Sequence, residues 1–472
     1  MNIREETYDD FILGQDSRCT VSTDCRKTQL NNNIMVVGGS GSGKTTSIVI
    51  PNLLHLAHSN AVGVFTKWGM IREVSRVLQR RGYHVSIINF VEPEKSRFGY
   101  DPLSYCETEA DIKQMAQAII HEVPGMRNQT HDPYWNNAAE SILIPVLRYV
   151  RNGHYKEGSS MKDALKLLDT LVVKESPRKD GGFFEVFEED DKKQKKEQEQ
   201  ARKKEAEDKI YLLHKEFEHL ADTDLVGNVA WASFLHLSNS ASATASCVVN
   251  SLQVPLQGMF QPDIRRILAN RKKFDFRKLM MPRTALFVYL SPVNMSHHRF
   301  VGLFYQQLFK ALFELAERQP ERRLPHPVHV FCDDFATGCH VPDFAGLISI
   351  FREKGISSII LLQSESQLEG MYGHSDARTI INNCDTYIYL GGMDYGTCEQ
   401  VALRMNRSIA DVLWMPLGME VFFRRGQKPI VTKRYDLFTD PVYLGEVLGT
   451  RQEKRMGDTS ALEFRKPGKE RP

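Results

Sequence analysis

The chain has 472 residues, of which 42% are hydrophobic and 25% are charged, proportions that exclude a fibrous or largely disordered protein. Its formal net charge of +2 excludes a surface that is basic all over, so any contact with nucleic acid needs a local patch or channel. The eight cysteines include no Cys-x-x-Cys pair, which argues for reduced thiols and against a structural zinc site. No uncharged apolar run approaches about 18 residues, so we predict no membrane span.

Strands and helices alternate in the first part of the chain. Short apolar runs at Ile34–Val37, Ala61–Phe65 and His84–Phe90 predict strands, and the apolar spacing of Ile71–Arg81 predicts a helix between the second and third of them. This alternation is typical of a parallel sheet covered by helices.

A glycine-rich segment follows the first strand directly and leads into the helix-like Thr45–Ile50. It fits the phosphate-loop pattern, in which backbone N–H groups surround phosphates at a helix N-terminus, the lysine reaches the β- and γ-phosphates and the threonine hydroxyl binds Mg²⁺. The alternative is a glycine-rich turn with an accidental Lys-Thr. We predict a site for ATP and Mg²⁺ whose nucleotide-binding residues are Gly38, Gly39, Ser40, Gly41, Ser42, Gly43, Lys44, Thr45 and Thr46.

The pattern becomes helical after about residue 108. Apolar residues recur at three-to-four spacing in Ala138–Val150 and Ala164–Val172, which predicts amphipathic helices. Within this stretch, Glu188–Lys209 consists almost wholly of charged residues, Gln and Ala. Either a solvated helix or disordered connector, or an arm that docks a partner, fits that composition.

The α/β pattern then returns. Strands are predicted at Thr284–Leu290, Val328–Phe331, Ser357–Leu362 and Thr386–Leu390, with a long helix at Phe300–Arg318. We therefore predict one nucleotide-binding α/β domain interrupted by an inserted all-α domain. The predicted divisions are an N-terminal segment (1–30), the first part of the α/β domain (31–107), the insertion (108–256), the second part (257–450) and a flexible tail (451–472).

Paired acids end the strand Val328–Phe331, which continues as Cys332-Asp333-Asp334. A phosphate-loop enzyme needs an acid at the end of a neighbouring strand to hold Mg²⁺ and a second group to orient the attacking water. We assign Asp333 to Mg²⁺ and Asp334 to catalysis as the water-orienting base. Acids that cap a strand-to-helix junction are the alternative.

Two further residues are catalytic candidates. Gln363 follows the next strand, where an amide can hydrogen-bond a γ-phosphate or the water, although Gln and Ser are also ordinary loop residues there. Arg352 precedes that strand, and an arginine supplied across a subunit boundary can neutralise transition-state charge. Its position alone is equally that of a surface arginine at a helix end.

Several segments together resemble one known family. They are Gly38–Thr45 followed by Ile50–Leu54, then His131–Trp135 with its Asp-Pro-Tyr-Trp, Val341–Phe344, Ile360–Leu368 and Ile381–Gly392. In this order, over roughly residues 30–440, the chain is similar to the TraG/TraD-class coupling proteins of type IV secretion and conjugation.

The resemblance implies a RecA-like ATPase that forms a homo-hexameric ring and couples a relaxase–DNA complex to a secretion channel. It implies a trans-acting finger at Arg352 and passage of single-stranded DNA held by basic groups without base readout. Because the family's usual N-terminal membrane anchor is lacking, we expect a cytoplasmic protein that reaches the inner face of the plasma membrane only through a partner protein.

Two other departures from the family bear on catalysis. The family's usual Asp-Pro-Lys-Gly-Glu strand end reads Thr66-Lys67-Trp68-Gly69-Met70 here, so the acid is lost and the lysine is displaced. The usual Asp-Glu pair reads Asp333-Asp334, which shortens the second carboxylate by one methylene.

The sequence leaves two alternatives open. A non-hydrolysing adaptor that binds ATP and recruits relaxosome or effector proteins is one. A motor of the FtsK/HerA type acting on duplex DNA is another, although we see no winged-helix-like terminal domain.

Overall fold

In the computed structural model of the protein, residues 9–21, 28–121, 133–169, 217–218, 232, 242–335 and 340–449 are described. It divides into two compact units, one formed by Met1–Phe98 with Phe274–Pro472 and the other by Gly99–Lys273. The charged Glu188–Lys209 and the tail 451–472 lie outside the described residues. No helix in the described ranges combines the length and hydropathy that crossing a membrane requires.

The strands found among the described residues all belong to the first unit. They are β1 (Asp9–Gly14), β2 (Ser17–Val21), β3 (Ile34–Val37), β4 (Asn60–Phe65), β5 (His84–Asn89), β6 (Thr284–Tyr289), β7 (Val328–Cys332), β8 (Ile356–Leu362), β9 (Thr386–Tyr389), β10 (Met419–Arg424) and β11 (Ile430–Lys433). The α-helices are α1 (Ile50–Leu54), α2 (Trp68–Arg80), α3 (Glu109–Ile120), α4 (Pro133–Arg151), α5 (Met161–Leu168), α6 (Ser242–Met259), α7 (Pro262–Ala269), α8 (Met295–Glu317), α9 (Phe344–Lys354), α10 (Glu365–Asn382), α11 (Tyr395–Met405) and α12 (Ile409–Leu413).

Shorter helical turns complete these elements. The π-helical Lys44–Val49 runs directly into α1, and a second π-helical turn spans Tyr443–Leu448. Short 3₁₀ turns lie at Pro93–Lys95, Pro102–Tyr105, Phe276–Met280 and Leu437–Thr439.

One large sheet organises the first unit. Within the described residues it has nine strands in the order β11-β10-β9-β3-β8-β7-β4-β6-β5. The strands from β9 to β5 in this order pair in parallel, whereas β10 is antiparallel to β9 and β11. The parallel-rich central sheet expected from the sequence is therefore present.

Burial explains which strands could be recognised. Every residue of β3, β4, β7, β8 and β9 is buried, as expected of parallel strands covered on both faces. Such strands read as continuous apolar runs, and the predicted bounds of those and of β5 and β6 agree with the structure to within one residue. The strands β1, β2, β10 and β11 were not predicted.

The hairpin formed by β1 and β2 is fastened to the helix behind the phosphate-loop segment. Buried Asn52 accepts a hydrogen bond from the Ile12 N–H at 2.6 Å and donates to the Ile12 carbonyl at 3.0 Å and the Ile48 carbonyl at 2.7 Å. The Asp9 carboxylate accepts from three successive backbone N–H groups, of Ala57, His58 and Ser59, at 2.7–3.0 Å. The N-terminal segment thus helps to hold α1 in place.

The second unit is helical where it is described. Its longest described helix, α4, packs against α3, α5 and α6, and apolar residues such as Ile119, Leu143 and Leu147 are fully buried there. The two ends of the unit are joined because Gly99 N–H donates to the Lys272 carbonyl at 2.8 Å. Of the Asp-Pro-Tyr-Trp segment, Tyr134 is half exposed.

Candidate nucleotide site

The sheet brings the candidate residues to one edge. Strand β3 lies between β8 and β9, and β7 lies between β8 and β4. Because these strands are parallel, the segments that follow them meet at the same edge, which is where ligands bind in open α/β sheets. The segments after β3, β7 and β8 carry the phosphate loop, Asp333 and Gln363, so the structure brings these groups to a common edge.

The loop after β3 has a conformation that depends on glycine. Gly41 has φ +75° and Gly43 has φ +89°, a left-handed region that other residues rarely adopt. A Cβ on Gly38 would lie 2.5 Å from Ser42 Oγ, so no larger residue fits there without a shift. The Gly39 N–H donates to the Gly391 carbonyl at 2.9 Å, which ties the loop to the segment after β9.

Polar groups at the end of this loop fit a bound phosphate. Ser42 Oγ is buried and is one of the described polar atoms without a hydrogen-bond partner. The helix begins at Lys44, and the N–H groups of its first turn have no carbonyl partner within the helix. Ser47 N–H, one turn further on, donates to the Gly43 carbonyl at 2.7 Å. Such an arrangement attracts anions.

Lys44 is folded over its own loop. Its Nζ donates to the Gly38 carbonyl at 2.5 Å and to the Gly39 carbonyl at 3.3 Å. Burial lowers the pKa of Lys44, while the nearby charges of Asp334 and Asp333 act in the opposite direction. The lysine is thus held between the loop and the acids that end β7.

The two acids differ in environment. Burial, and then the charge of Asp334, raise the pKa of Asp333 to about 6, against the opposing charges of Lys67 and Lys44. Asp334 has φ +47°, a left-handed backbone that is strained for a residue with a side chain and that clusters at functional sites. The sequence analysis did not identify His298, which is buried near these acids. Its Nε2 atom lies 3.2 Å from the Ser291 carbonyl oxygen, and the charge of Asp334 acts on its imidazole ring.

Lys67 is a second cation in the site. It follows β4, and its Nζ donates to Thr45 Oγ1 at 3.0 Å. The sequence marked Lys67 only as displaced from the family pattern. Lys67 follows β4, which pairs in parallel with β7, the strand that precedes Asp333. That position was the signal from which its place in the site could have been predicted.

Gln363 follows β8, one residue beyond the Leu362 carbonyl that accepts from Gly38 N–H at 3.1 Å. Its Oε1 accepts from the Gln367 side chain at 3.4 Å. The adjoining helix α10 is anchored by Glu365, which is buried and accepts from the Tyr387 hydroxyl at 2.7 Å and Arg404 at 2.9 Å. Gln363 therefore lies two residues before the anchored first residue of α10.

Arg434 also lies against the phosphate loop and was not found from the sequence. Its guanidinium donates to the Met419 carbonyl at 3.1 Å and to the Leu390 carbonyl. Its Nη1 would be 3.9 Å from a Cβ on Gly43. Because Arg434 follows β11, which the sequence did not predict, no pattern indicated its place.

Arg352 lies away from these groups. It stands just before β8, whereas Gln363 stands just after it, and a seven-residue strand separates its two ends by about 20 Å. At that opposite edge Arg352 lines a cavity of about 470 Å³ together with Asn31, Asp385 and Arg425. Within one chain the structure does not bring Arg352 to the phosphate loop, and its role as a trans-acting finger stays a prediction.

Comparison with protein families gives an identity to this arrangement. The model of the type IV secretory system conjugative DNA transfer family matches residues 4–404. The chain belongs to that family. The resemblance drawn from the ordered motifs is therefore confirmed.

Solved structures support the fold of this family member. A bacterial conjugative coupling protein, TrwBdeltaN70, is similar with a TM-score of 0.60 at 14% identity, over 87% of this chain and 88% of that one. The plasmid coupling protein TrwB in complex with ADP and Mg²⁺ gives 0.58 at 14% identity, over 86% and 85%. VirB4 of Thermoanaerobacter pseudethanolicus gives 0.50 at 12% identity, over 94% and 100%.

These likenesses confirm the predicted fold class, a RecA-like P-loop domain with an inserted all-α domain. Among curated protein sequences, none matches this chain.

Proposed function

We propose that this family member is an ATP-driven coupling protein, which recruits a relaxase–DNA or protein substrate to a type IV secretion channel and powers its transfer. The observation that carries the proposal is the meeting of the phosphate loop with the ends of β7 and β8 at one sheet edge, in a chain of the conjugative DNA transfer family. Family membership supports the role in conjugative transfer, and the positions of the candidate residues support ATP binding and hydrolysis.

The nucleotide site is assigned as follows. Residues 38–46 hold the phosphates through backbone N–H groups and the Ser42 hydroxyl, and Lys44 exchanges its loop carbonyls for phosphate oxygens. Thr45 Oγ1 and Asp333 would hold Mg²⁺, which neutralises charge on the β- and γ-phosphates when it is bound. The similar TrwB has been solved with ADP and Mg²⁺ and with the ATP analogue ADPNP, which supports extending this ligand pair to the present chain.

Hydrolysis requires groups that act on the γ-phosphate and on the attacking water. Asp334, whose backbone has φ +47°, orients the attacking water. Gln363 contacts the γ-phosphate or that water. Arg352 contributes from a neighbouring subunit of a homo-hexamer, because its own chain holds it at the far edge of the sheet.

The remaining assignments rest on the family. Single-stranded DNA and relaxosome proteins are the substrates, and components of the secretion channel are the docking partners. We place the protein in the cytoplasm, at the inner face of the plasma membrane when a membrane partner recruits it.

One ATPase assay tests the proposal. Phosphate release by the full chain, with and without single-stranded DNA, should be stimulated by the DNA and fall to background in Lys44→Ala and Asp333→Asn. Exposed Lys428 lies in the turn between β10 and β11, so Lys428→Ala should retain wild-type activity and serves as the matched control. Robust hydrolysis in Lys44→Ala would show that this site is not the ATPase site.

A second candidate is an adaptor that binds ATP without turning it over. The contact of Lys67 with Thr45 and the short Asp334 side chain favour it. Tight ATP binding by the wild-type chain with no phosphate release at saturating single-stranded DNA would support the adaptor over the motor.

A further inference from the structure

The backbone of Lys67 is held firmly at the edge of the site. Strand β4 ends two residues before it, and α2 begins immediately after it. The Lys67 carbonyl accepts from the Ile71 N–H at 3.2 Å in the first turn of α2. Because both flanking elements are packed into the core, the side chain can vary its position only through its own rotamers.

Its ammonium group lies where a metal ion would need to bind. Lys67 Nζ donates to Thr45 Oγ1 at 3.0 Å, using a lone pair of the oxygen that we assign to Mg²⁺. The charges that act most on Asp333 after its neighbour Asp334 are those of Lys67 and then Lys44. The Lys67 ammonium thus lies beside the hydroxyl and within the field of the carboxylate that form the metal side of the site.

A lysine and a divalent cation cannot share these two groups. Both bind at the Thr45 hydroxyl and beside the Asp333 carboxylate, and their positive charges repel at such short range. Lys44 and Lys67 already repel one another in the structure, since Lys67 acts to lower the Lys44 pKa. The Lys67 ammonium must therefore leave Thr45 before a metal ion can be bound there.

We propose that Lys67 is a tethered cation that occupies the metal side of the site when nucleotide is absent and competes with Mg²⁺, so that it sets the Mg²⁺ concentration needed for nucleotide binding. The inference rests on the proposed function, because it presumes that residues 38–46 hold a nucleotide. It adds a regulation of that site by a residue that stands where the family pattern has a different segment.

The test measures binding rather than turnover. The affinity of the full chain for a fluorescent N-methylanthraniloyl ADP is measured over a series of Mg²⁺ concentrations, for the wild type and for Lys67→Met, which keeps an unbranched side chain without charge. We expect the Mg²⁺ concentration at half-maximal effect to fall about tenfold in Lys67→Met, within the usual range of coupling between ligands. At saturating Mg²⁺ the two affinities should agree.

Two variants separate charge from structure. Lys67→Arg keeps the charge and should keep a Mg²⁺ midpoint near that of the wild type, whereas exposed Lys428→Met should leave the midpoint unchanged. Circular dichroism and thermal melting establish that each variant is folded, and Lys67→Gln replaces Lys67→Met if the latter is not.

The outcomes are distinguishable. An unchanged Mg²⁺ midpoint in Lys67→Met and Lys67→Gln overturns the inference, as does weaker ADP binding at saturating Mg²⁺, because that result would place Lys67 on the bound nucleotide. If ADP binding does not depend on Lys44 at all, the proposed function fails. If it depends on Lys44 but not on Lys67 charge, only the present inference fails.

Discussion

Glu420 is a buried acid whose ionisation should oppose folding. It lies on β10, is fully buried, and neither carboxyl oxygen has a hydrogen-bond partner among the described residues. Burial raises the pKa of Glu420 to about 8, although the charge of Arg434 acts in the opposite direction. We predict that Glu420→Gln changes how the stability of the protein depends on pH.

The sign follows from proton binding in the two states. Between pH 4.5, the ordinary Glu value, and about 8, the folded chain keeps the Glu420 proton while the unfolded chain has released it. The stability that this proton provides is complete below pH 4.5 and is lost as the pH rises towards 8. At about 1.36 kcal/mol per pKa unit, the loss approaches about 5 kcal/mol.

The assay compares unfolding midpoints of wild type and Glu420→Gln in urea from pH 5 to pH 9. The glutamine cannot ionise, so the variant should gain stability relative to wild type by about 1.4 kcal/mol per pH unit up to pH 8 and no further. Exposed Glu399 provides the control, since Glu399→Gln should show no such pH-dependent gain. Parallel pH profiles for wild type and Glu420→Gln would refute the reasoning.

Three other substitutions test local contacts. Asn52→Ala removes the partner of the Ile12 backbone groups and should lower the free energy of unfolding by about 3 kcal/mol. An unchanged melting temperature would contradict the role of Asn52 in holding the hairpin. The pKa of Asp9 is lowered in the folded chain from the ordinary value of 3.8, so its carboxylate contributes stability above pH 3.8 that is lost as the pH falls through the lowered value. Asp9→Ala should therefore lower the free energy of unfolding by about 2 kcal/mol or more at pH 7 and by less at pH 3, as measured by urea titration. Gly43→Ala places a side chain at φ +89° and 3.3 Å from Ser47 Oγ, so its ADP affinity should fall about tenfold, while Gly346→Ala, which meets open space, should bind like wild type.

The core of the fold could be predicted because each of its strands can be recognised from its own local sequence. In β3, β7 and β8 every side chain is buried, so a mostly apolar run marks each strand whatever its partner, although β7 includes His329 and β8 includes Ser357 and Ser358. The four unpredicted strands lack that property. The edge strand β11 is largely exposed, and β10 contains buried Glu420, so their pairing depends on neighbours that a local pattern does not reveal.

The same distinction applies to the candidate site. The glycines and Lys44 could be singled out as candidates because the phosphate-loop pattern has particular residue types at fixed spacing, and Asp333 and Asp334 because they directly follow a strand. The contact of Lys67 with Thr45 joins positions 22 residues apart, and Arg434 reaches the loop from the far end of the domain. Such contacts follow from strand order, which no local spacing encodes.

The sequence by itself therefore determined the alternation of strands and helices, the motifs of the family and the pattern of a candidate phosphate loop. Only the tertiary structure decided which charges face the phosphate loop and that Arg352 lies at the opposite edge of the sheet. The physical reason is that residue types and their periodicity are local properties of a chain, whereas the field at a site is the sum over groups that folding brings together.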